Sequence, residues 1–277
     1  MKFKYLGTAA YEGIPTIFCH CEICQKSLEL GGKNIRTRAQ ALINDELLLD
    51  FGPDTVQHFQ RYRLDFNKIQ NCLITHSHGD HLYPEDIEIA SPHFSHYNKG
   101  ITFYAGKSGT EIIEKHMKNH DTHKFVKVNC VKSFQTFDVA DKYQVTAFEA
   151  NHADYTSPLF YLIKEKETGK TALYAHDTGV FSEKDFEKLS EFKNISFISL
   201  DCTGGYGEGG DWRNGHMSIK TNLEVITKLK ELGCINDKTI IVVNHFSHNG
   251  KAIYDEFSKF TEKLGIITSY DGLEFEF

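Results

Sequence analysis

Apolar residues recur along this chain in short runs, most of which have the length of a β-strand. Ten such runs, separated by polar or turn-forming residues, predict strands. They cover residues 3–6, 39–43, 47–50, 72–75, 101–104, 143–149, 159–163, 171–175, 195–200 and 239–243. Three further segments have helical periodicity with charged residues on one face, at 182–192, 218–232 and 251–264.

The order of these elements predicts the fold class. An antiparallel set of strands comes first, and strands alternate with helices in the second half of the chain. This order indicates an α/β (α+β) fold in which two sheets pack face to face and helices cover the outer faces, in four αββα layers. No repeat or Pro/Ser-rich linker divides the chain, so we predict a single domain over residues 1–277. Residues 203–215 contain six glycines and predict a loop between a strand and a helix.

Charge and cysteine content narrow the function classes. A net charge of −7 disfavours a nucleic-acid binder, which usually carries a basic surface, although bound metal ions would still attract a small anion. Seven cysteines, an odd number, favour reduced thiols and metal ligands over a disulfide framework. The sequence shows neither an apolar run of the roughly 20 residues needed to span a membrane nor a secretory signal pattern. We therefore expect a cytoplasmic protein with no membrane partner.

The stretch THSHGDH at residues 75–81 directly follows a predicted strand. His76 and His78 are two residues apart, so an extended backbone directs both imidazoles to one side, and Gly79 allows the chain to turn back. Two ions held about 3.5–4 Å apart by such a group would activate a water molecule, as in two-metal phosphatases and nucleases. We predict four metal ligands in this stretch: His76, His78, Asp80 and His81.

Three more ligand candidates each follow a predicted strand further along the chain. They are His152 in the sequence NHAD, Asp177 in HDTG and His245 in NHFSH. A single strand-end histidine is more often simply hydrogen-bonded, but three candidates beyond successive apolar runs favour a shared metal site. Imidazole and carboxylate ligands suit Zn²⁺, Mn²⁺ or Fe²⁺, and the sequence does not distinguish among these ions.

A second metal site is predicted near the N-terminus. The sequence CHCEIC supplies three thiols within six residues, those of Cys19, Cys21 and Cys24. A tetrahedral structural Zn²⁺ needs a fourth ligand. We favour His248 over the local candidate His20, whose chain neighbours would strain the geometry.

Together these motifs resemble the metallo-β-lactamase superfamily, and within it the phosphoribosyl cyclic phosphodiesterases of bacterial phosphonate breakdown. The resemblance covers most of the chain, on LGTAAYEGIPTIFCHCEIC, THSHGDH, the NH of Asn151 and His152, HDTG, DCT at 201–203, RNGH at 213–216 and NHFSH at 244–248. The chain departs from this branch at Ala9 and Ala10, where the branch has two glycines, and in RNGH, where it has RNH. The glycine-rich 203–215 loop is a further departure.

The resemblance implies the metallo-β-lactamase sandwich and a metal-dependent hydrolase that cleaves a small phosphodiester, cyclic ones included. It implies one ion on His76, His78 and His152 and a second on Asp80, His81 and His245, with Asp177 bridging them. The expected cofactors are therefore two divalent ions that activate water, besides one structural Zn²⁺.

The resemblance also implies catalytic roles for two residues. These are Asp80, within the histidine motif, and His216, as the acid that protonates the leaving alkoxide. Arg213 is a candidate for contact with a phosphate, and Trp212 is a candidate for a lid over the substrate.

Three other functions stay open. The same metal centre serves hydrolases of lactones or thioesters in this superfamily. A tRNA-processing nuclease is disfavoured by the net charge and by the absence of a basic arm, and a non-catalytic metal-binding member is disfavoured by the complete ligand set. Among partners we expect a small phosphorylated substrate rather than nucleic acid, and a homodimer is an open alternative to a monomer.

Overall fold

The computed structural model describes all 277 residues and contains two mixed β-sheets of seven strands each. The strands of the first sheet are β1 (Lys2–Gly7), β2 (Gln40–Ile43), β3 (Leu47–Leu49), β4 (Asn71–Leu73), β5 (Ile101–Ala105), β6 (Val126–Cys130) and β14 (Glu274–Glu276). Their order is β14-β1-β2-β3-β4-β5-β6. Neighbours from β14 to β3 are antiparallel, and neighbours from β3 to β6 are parallel.

The second sheet repeats this plan. Its strands are β7 (Thr136–Val139), β8 (Tyr143–Glu149), β9 (Leu159–Glu165), β10 (Thr171–Ala175), β11 (Phe197–Asp201), β12 (Ile240–Asn244) and β13 (Ile267–Thr268), and their order is β13-β12-β11-β10-β9-β8-β7. Neighbours from β7 to β10 are antiparallel, and neighbours from β10 to β13 are parallel. Strands β8, β10, β11 and β12 therefore all end at the same edge of the sheet.

Six α-helices lie in the connections, and all but the first of them join parallel neighbours, which need a crossover that is usually helical. The helices are α1 (Glu22–Leu30), α2 (Thr55–Tyr62), α3 (Lys107–His116), α4 (Glu183–Leu189), α5 (Ile219–Glu231) and α6 (Tyr254–Glu262). Helices α2 and α3 pack on the outer face of the first sheet, through residues such as Ile113. Helices α4, α5 and α6 cover the second sheet, through Leu189, Leu229 and Phe257.

Large aromatic side chains from both sheets fill the space between them. The ring centroids of Phe3 in β1 and Phe197 in β11 lie 4.6 Å apart, and both side chains are fully buried. The Tyr5 hydroxyl crosses the same space and donates to Ser199 Oγ at 2.6 Å. Successive side chains of β11 point to opposite faces, so Phe197 packs between the sheets while Ile198 and Leu200 pack against the helices, and the whole strand is buried. The structure thus confirms the predicted four-layer αββα sandwich.

Several element boundaries differ from the sequence prediction. Helix α6 begins at Tyr254 rather than at residue 251, because Lys251 has a φ of 56° and ends a separate 3₁₀ turn, His248–Gly250. Helix α4 is shorter than the predicted 182–192 and begins after Ser182, whose hydroxyl caps it by accepting from Asp185 N. The elements that the sequence pattern did not predict are α1, α2, α3, β6, β7, β13 and β14.

Candidate metal centre

The predicted metal ligands lie together at one end of the two sheets. His76, His78, Asp80 and His81 follow β4, while His152 follows β8, Asp177 follows β10 and His245 follows β12. The strands of the second sheet that precede these ligands all end at the same edge, so ligands far apart in sequence converge. The structure brings all seven predicted residues into two neighbouring groups.

The first group consists of three histidines. His78 Nδ1 lies 2.9 Å from His76 Nε2 and 3.2 Å from His152 Nε2, so three ring nitrogens face one point. His76 is buried, whereas His78 and His152 are partly exposed on the cavity side. Three imidazole nitrogens at such spacing could hold a divalent ion.

The second group consists of Asp80, His81, Asp177 and His245, all buried. Asp177 Oδ2 lies 2.6 Å from His81 Nε2 and 3.3 Å from His245 Nε2. The same oxygen also lies 3.4 Å from Nε2 of His76 in the first group. Asp177 therefore lies between the two groups, where a bridging carboxylate belongs.

The ligand atoms of the second group fit a cation because they lack other partners. Asp80 Oδ1, His81 Nε2 and His245 Nε2 are buried and make no hydrogen bond of suitable geometry, and the carboxylate oxygen nearest to both imidazole nitrogens is that of Asp177, another member of the group. Buried polar atoms are nearly always hydrogen-bonded, and an unpaired one costs about 1–3 kcal/mol. Three such atoms around one carboxylate are explained by a metal ion that they would share.

The remaining nitrogen of each imidazole faces an oxygen, and this contact determines which nitrogen is left free for a metal. The partner oxygens are Thr75 Oγ1 for His76 (3.1 Å), Tyr155 Oη for His78 (2.9 Å), Gly215 O for His152 (3.0 Å), Asp50 Oδ2 for His81 (2.8 Å), and both Thr203 Oγ1 (2.9 Å) and Asp201 Oδ2 (3.2 Å) for His245. In all five rings the free nitrogen is the one that points into the ligand groups.

Two carboxylates of this support, Asp50 and Asp201, were not among the residues predicted from the sequence. Asp50 accepts from the Thr75 backbone N–H at 2.8 Å as well as from His81. Asp201 accepts from the backbone N–H groups of Thr203 and Met217 at 3.0 and 2.9 Å. Because these hydrogen bonds already occupy Asp201, we regard it as a support for the ligands, although it lies within reach of a metal.

Charges in the centre stabilise one another. Burial disfavours the charged form of His81, but the surrounding carboxylates, led by Asp80 and Asp50, raise its pKa well above the usual value. Burial likewise opposes ionisation of Asp177, but His245 and His81 lower the pKa of this carboxyl well below its usual value. Burial lowers the pKa of His76 well below its usual value. A metal ligand must be neutral, so an ion bound by His81 would take the place of its proton.

His216 lies beside the two groups, at the wall of the same cavity. Its Nδ1 lies 3.2 Å from both Asp201 Oδ2 and Asp177 Oδ1, and its ring stacks on His245 with the centroids 5.8 Å apart. Burial opposes its protonation, but Asp201 and Asp177 outweigh burial and raise the pKa of His216. With Nδ1 engaged, Nε2 is the nitrogen left to interact with a bound molecule.

The structure also brings the predicted cysteine site together. His248 Nδ1 lies 3.5 Å from Cys19 Sγ and 3.3 Å from Cys21 Sγ, and Cys24 belongs to the same group. His20 is not part of the group. Burial would raise the pKa of the Cys21 thiol, but the hydrogen bonds that it makes, led by that to His248, lower this pKa to about 6. Four such ligand atoms suit a tetrahedral Zn²⁺.

Residues 46–245, which contain all seven ligands of the main centre, match the family described as the β-lactamase superfamily domain. The match covers more than two thirds of the chain. The chain belongs to the β-lactamase superfamily. This confirms the relationship that the histidine motif and the later strand-end ligands indicated.

Solved structures show how widely this superfamily fold is shared. The chain is similar to Zn²⁺-bound PqqB from Methylobacterium extorquens, with a TM-score of 0.76, 18% identity and 100% of both chains covered. It is also similar to a diphosphatase from the PhnP family, with a TM-score of 0.74, 19% identity, and 100% of this chain and 97% of the other covered. Both likenesses establish the fold.

Curated relatives of this superfamily member include ribonuclease Z of Listeria monocytogenes, which is 24% identical over 204 residues. That alignment covers 72% of this chain and 60% of the relative. The chain thus spans about 60% of the length of these curated relatives. None of its helices is both long and apolar enough to cross a lipid bilayer.

The glycine-rich loop of this β-lactamase superfamily chain forms one wall of the cavity. Trp212 lines the cavity and packs against Gly204, where a Cβ would lie 2.4 Å from the indole ring. The Arg213 guanidinium does not line the cavity, because it forms an ion pair of 2.8 Å with Glu224 on the surface. The sequence-based suggestion that Arg213 contacts a phosphate therefore finds no support in the structure.

Proposed function

We propose that the chain is a metal-dependent hydrolase of small phosphodiesters, cyclic ones included. The observation that carries the proposal is the convergence of five histidines and Asp80 around Asp177, with three of their buried ligand atoms left without a hydrogen bond. In this arrangement His76, His78 and His152 would hold one ion and Asp80, His81 and His245 a second, with Asp177 between them. Zn²⁺, Mn²⁺ and Fe²⁺ all suit these ligands.

When bound, two divalent ions would supply the Lewis acidity that makes water nucleophilic at neutral pH and would offset charge on the phosphoryl oxygens. The chain's own residues then position the reactants. Asp80, one of these ligands, also lines the cavity and would orient the attacking water from there. His76 and His81 stay fixed because Thr75 and Asp50 hold their outer nitrogens.

We assign to His216 the protonation of the leaving group. Expulsion of an alkoxide needs a proton donor, and histidine has a suitable pKa. Asp201 and Asp177 engage Nδ1 of His216, so the ring is oriented and Nε2 would deliver the proton to the departing oxygen. Asp201 also contacts Nδ1 of His245, so one carboxylate orients both the proton donor and a metal ligand.

The cavity favours a small substrate. Its volume is about 620 Å³, within the usual range for sites that bind small molecules. No lysine or arginine lines it, whereas Glu12 does, and the nearby Lys251 is paired with Glu208 at 3.1 Å. A long polyanion such as tRNA gains affinity by contacts of many phosphates with cationic side chains. The ribonuclease Z relatives suggest ribonuclease activity, but the cavity favours hydrolysis of a small diester over it.

One experiment would test the proposed function. Purified protein is loaded with Zn²⁺ or Mn²⁺, its metal content is measured, and it is assayed on cyclic and linear phosphodiesters, thioesters, lactones and a precursor tRNA. We expect turnover of the small phosphodiesters, loss of that turnover in Asp177→Asn, and no change in the surface control Tyr97→Phe. Turnover confined to thioesters, lactones or tRNA would refute the proposal. Absence of all turnover with both ions bound would indicate a non-catalytic metal-binding protein.

A further inference from the structure

The imidazole of His78 is supported by a side chain unlike those behind the other four ligand rings. Its Nδ1 faces His76 and His152, so Nδ1 is the atom that would bind a metal. Its Nε2, on the opposite side of the ring, lies 2.9 Å from the hydroxyl oxygen of Tyr155. The sequence motifs gave Tyr155 no role, and neither does the proposed mechanism.

The direction of this hydrogen bond follows from the chemistry of histidine. A neutral imidazole that offers one nitrogen to a metal carries its proton on the other. His78 Nε2–H therefore donates, and the Tyr155 oxygen accepts. The hydrogen of the phenol is then left over, and the Tyr155 hydroxyl makes no second hydrogen bond with the protein.

The side chain of Tyr155 is 77% exposed, but the backbone turn that carries it is braced by hydrogen bonds. It lies in the 3₁₀ turn Asp154–Thr156, where Thr156 Oγ1 donates to Ala153 O at 2.6 Å. The next residue, Ser157, accepts from the N–H of Ser108 at 3.2 Å.

Ser108 also ties this turn to the loop that carries His78. Its hydroxyl lies 2.7 Å from that of Ser77, the residue between the two histidines of the motif. The turn of Tyr155 and the loop of His78 are thus anchored to the same point at the start of α3. The Tyr155–His78 contact is consequently a built feature rather than the chance position of a mobile surface ring.

We infer that Tyr155 binds substrate: its oxygen accepts from His78, and its hydroxyl hydrogen donates to an oxygen of the substrate. His78 lines the cavity and Tyr155 lies beyond it, outside the lining, on the side of His78 that faces away from the metal ligands. The oxygen that Tyr155 reaches therefore belongs to the group attached to the reacting phosphorus, where that group extends out of the cavity. Unlike the guanidinium of Arg213, which is paired with Glu224, the Tyr155 hydroxyl has a hydrogen left to donate. Tyr155 thus selects phosphodiesters whose attached group carries a hydroxyl or another acceptor oxygen. This assignment rests on the proposed function.

The test compares two phosphate monoesters of equal carbon number, glycerol 3-phosphate and propyl phosphate, as ligands of the metal-loaded protein. Only glycerol 3-phosphate carries hydroxyls that Tyr155 could reach. In calorimetry we expect Tyr155→Phe to weaken the binding of glycerol 3-phosphate about five- to tenfold, the size of one hydrogen bond. The binding of propyl phosphate should weaken less than about twofold. Tyr97 is fully exposed and its hydroxyl makes no hydrogen bond, so Tyr97→Phe is the matched control and should change neither affinity.

Two results would overturn the assignment. Equal weakening of both ligands, accompanied by a lower metal content, would mean that Tyr155 only orients His78. No change for either ligand would mean that its hydroxyl does not meet a bound molecule. Binding needs no turnover, so the result is readable even if the protein hydrolyses no phosphodiester and the proposed function fails.

Discussion

His81 Nδ1 lies 2.8 Å from Oδ2 of Asp50, and both side chains are completely buried. A carboxylate behind an imidazole increases the basicity of the opposite nitrogen, which is the one that faces the metal. His245 has the same kind of support from Asp201. The rings of the first group instead face neutral oxygens, those of Thr75, Tyr155 and Gly215.

This difference predicts unequal metal affinities. The group of Asp80, His81 and His245 contains an anionic ligand and two carboxylate-supported imidazoles, whereas the group of His76, His78 and His152 is neutral and partly exposed. We expect a chelator to remove one ion well before the other, with the ion on the three histidines leaving first. Metal analysis during a titration with a chelator measures both steps.

Asp50→Asn should weaken the tighter site about 10- to 100-fold and bring the two steps closer together, because the amide loses the negative charge behind His81. Asp45→Asn, an exposed carboxylate remote from the ligands, is the control. Simultaneous loss of both ions from the wild-type protein, with no effect of Asp50→Asn, would contradict the predicted order.

The cysteine group predicts a separate, structural ion. Cys21→Ser removes one of four ligand atoms around His248, so we expect the purified variant to contain one zinc fewer per chain and to unfold at a lower temperature. Cys130→Ser changes an exposed thiol outside the group and should alter neither property. An unchanged zinc content in Cys21→Ser would show that the four residues do not bind the metal.

All eleven proposed ligands of both sites were predictable because each carries a recognisable local signal. A histidine or aspartate directly after an apolar strand is placed at a sheet edge, and the spacing of the cysteines is typical of zinc ligands. Asp50 and Asp201 had the same signal, since one follows β3 directly and the other ends β11. They were missed because nothing in a single sequence separates a carboxylate that holds a ligand from any other polar strand end.

The missed elements have a different cause. Helix α2 has only eight residues, and it buries the polar Thr55 and His58 while Val56 and Phe59 are exposed, so its sequence pattern does not indicate the face that packs. Strand β14 is three residues long and mostly exposed at the edge of its sheet, so no alternation marks it. Tertiary contacts, rather than local pattern, determine such elements.

His216 should matter most where the leaving group is a poor one. His216→Ala removes the proton donor, so we expect turnover of alkyl phosphodiesters to fall about 100-fold or more, and turnover of aryl diesters to fall far less. Aryl leaving groups depart without much protonation. Steady-state rates of the wild-type protein and of His216→Ala on a matched pair of alkyl and aryl diesters measure the difference.

His216→Gln serves as the companion variant, because it keeps a polar side chain near Asp201 but cannot donate a proton in the same way. It should resemble His216→Ala in the ratio of alkyl to aryl rates. Equal losses on both substrates, with an unchanged metal content, would exclude the role of proton donor and leave His216 as a support for Asp177.

Outside the metal centre, His58 makes the stability of the fold depend on pH. It is buried, with Nδ1 2.6 Å from Gln40 Oε1 and Nε2 2.7 Å from Thr37 Oγ1. Burial disfavours the charged form of His58 and is the main reason that its pKa falls to about 4 from the ordinary 6.5. The negative charge of Asp54 raises this pKa slightly, and the positive charge of Arg61 lowers it slightly. Between these two values the unfolded chain takes up a proton that the folded chain excludes.

The folded state therefore loses stability as the pH falls from about 6.5 towards 4, and keeps its full contribution from His58 above that range. At pH 5 the loss amounts to about 2 kcal/mol. His58→Gln cannot take up this proton, so its deficit in unfolding free energy relative to the wild-type protein should shrink by about that amount between pH 7 and pH 5 in urea denaturation. His93→Gln, on an exposed loop, should follow the wild-type profile. If the unfolding free energy of His58→Gln instead fell with pH in parallel with that of the wild-type protein, His58 would have to become protonated in the folded protein as readily as in the unfolded chain.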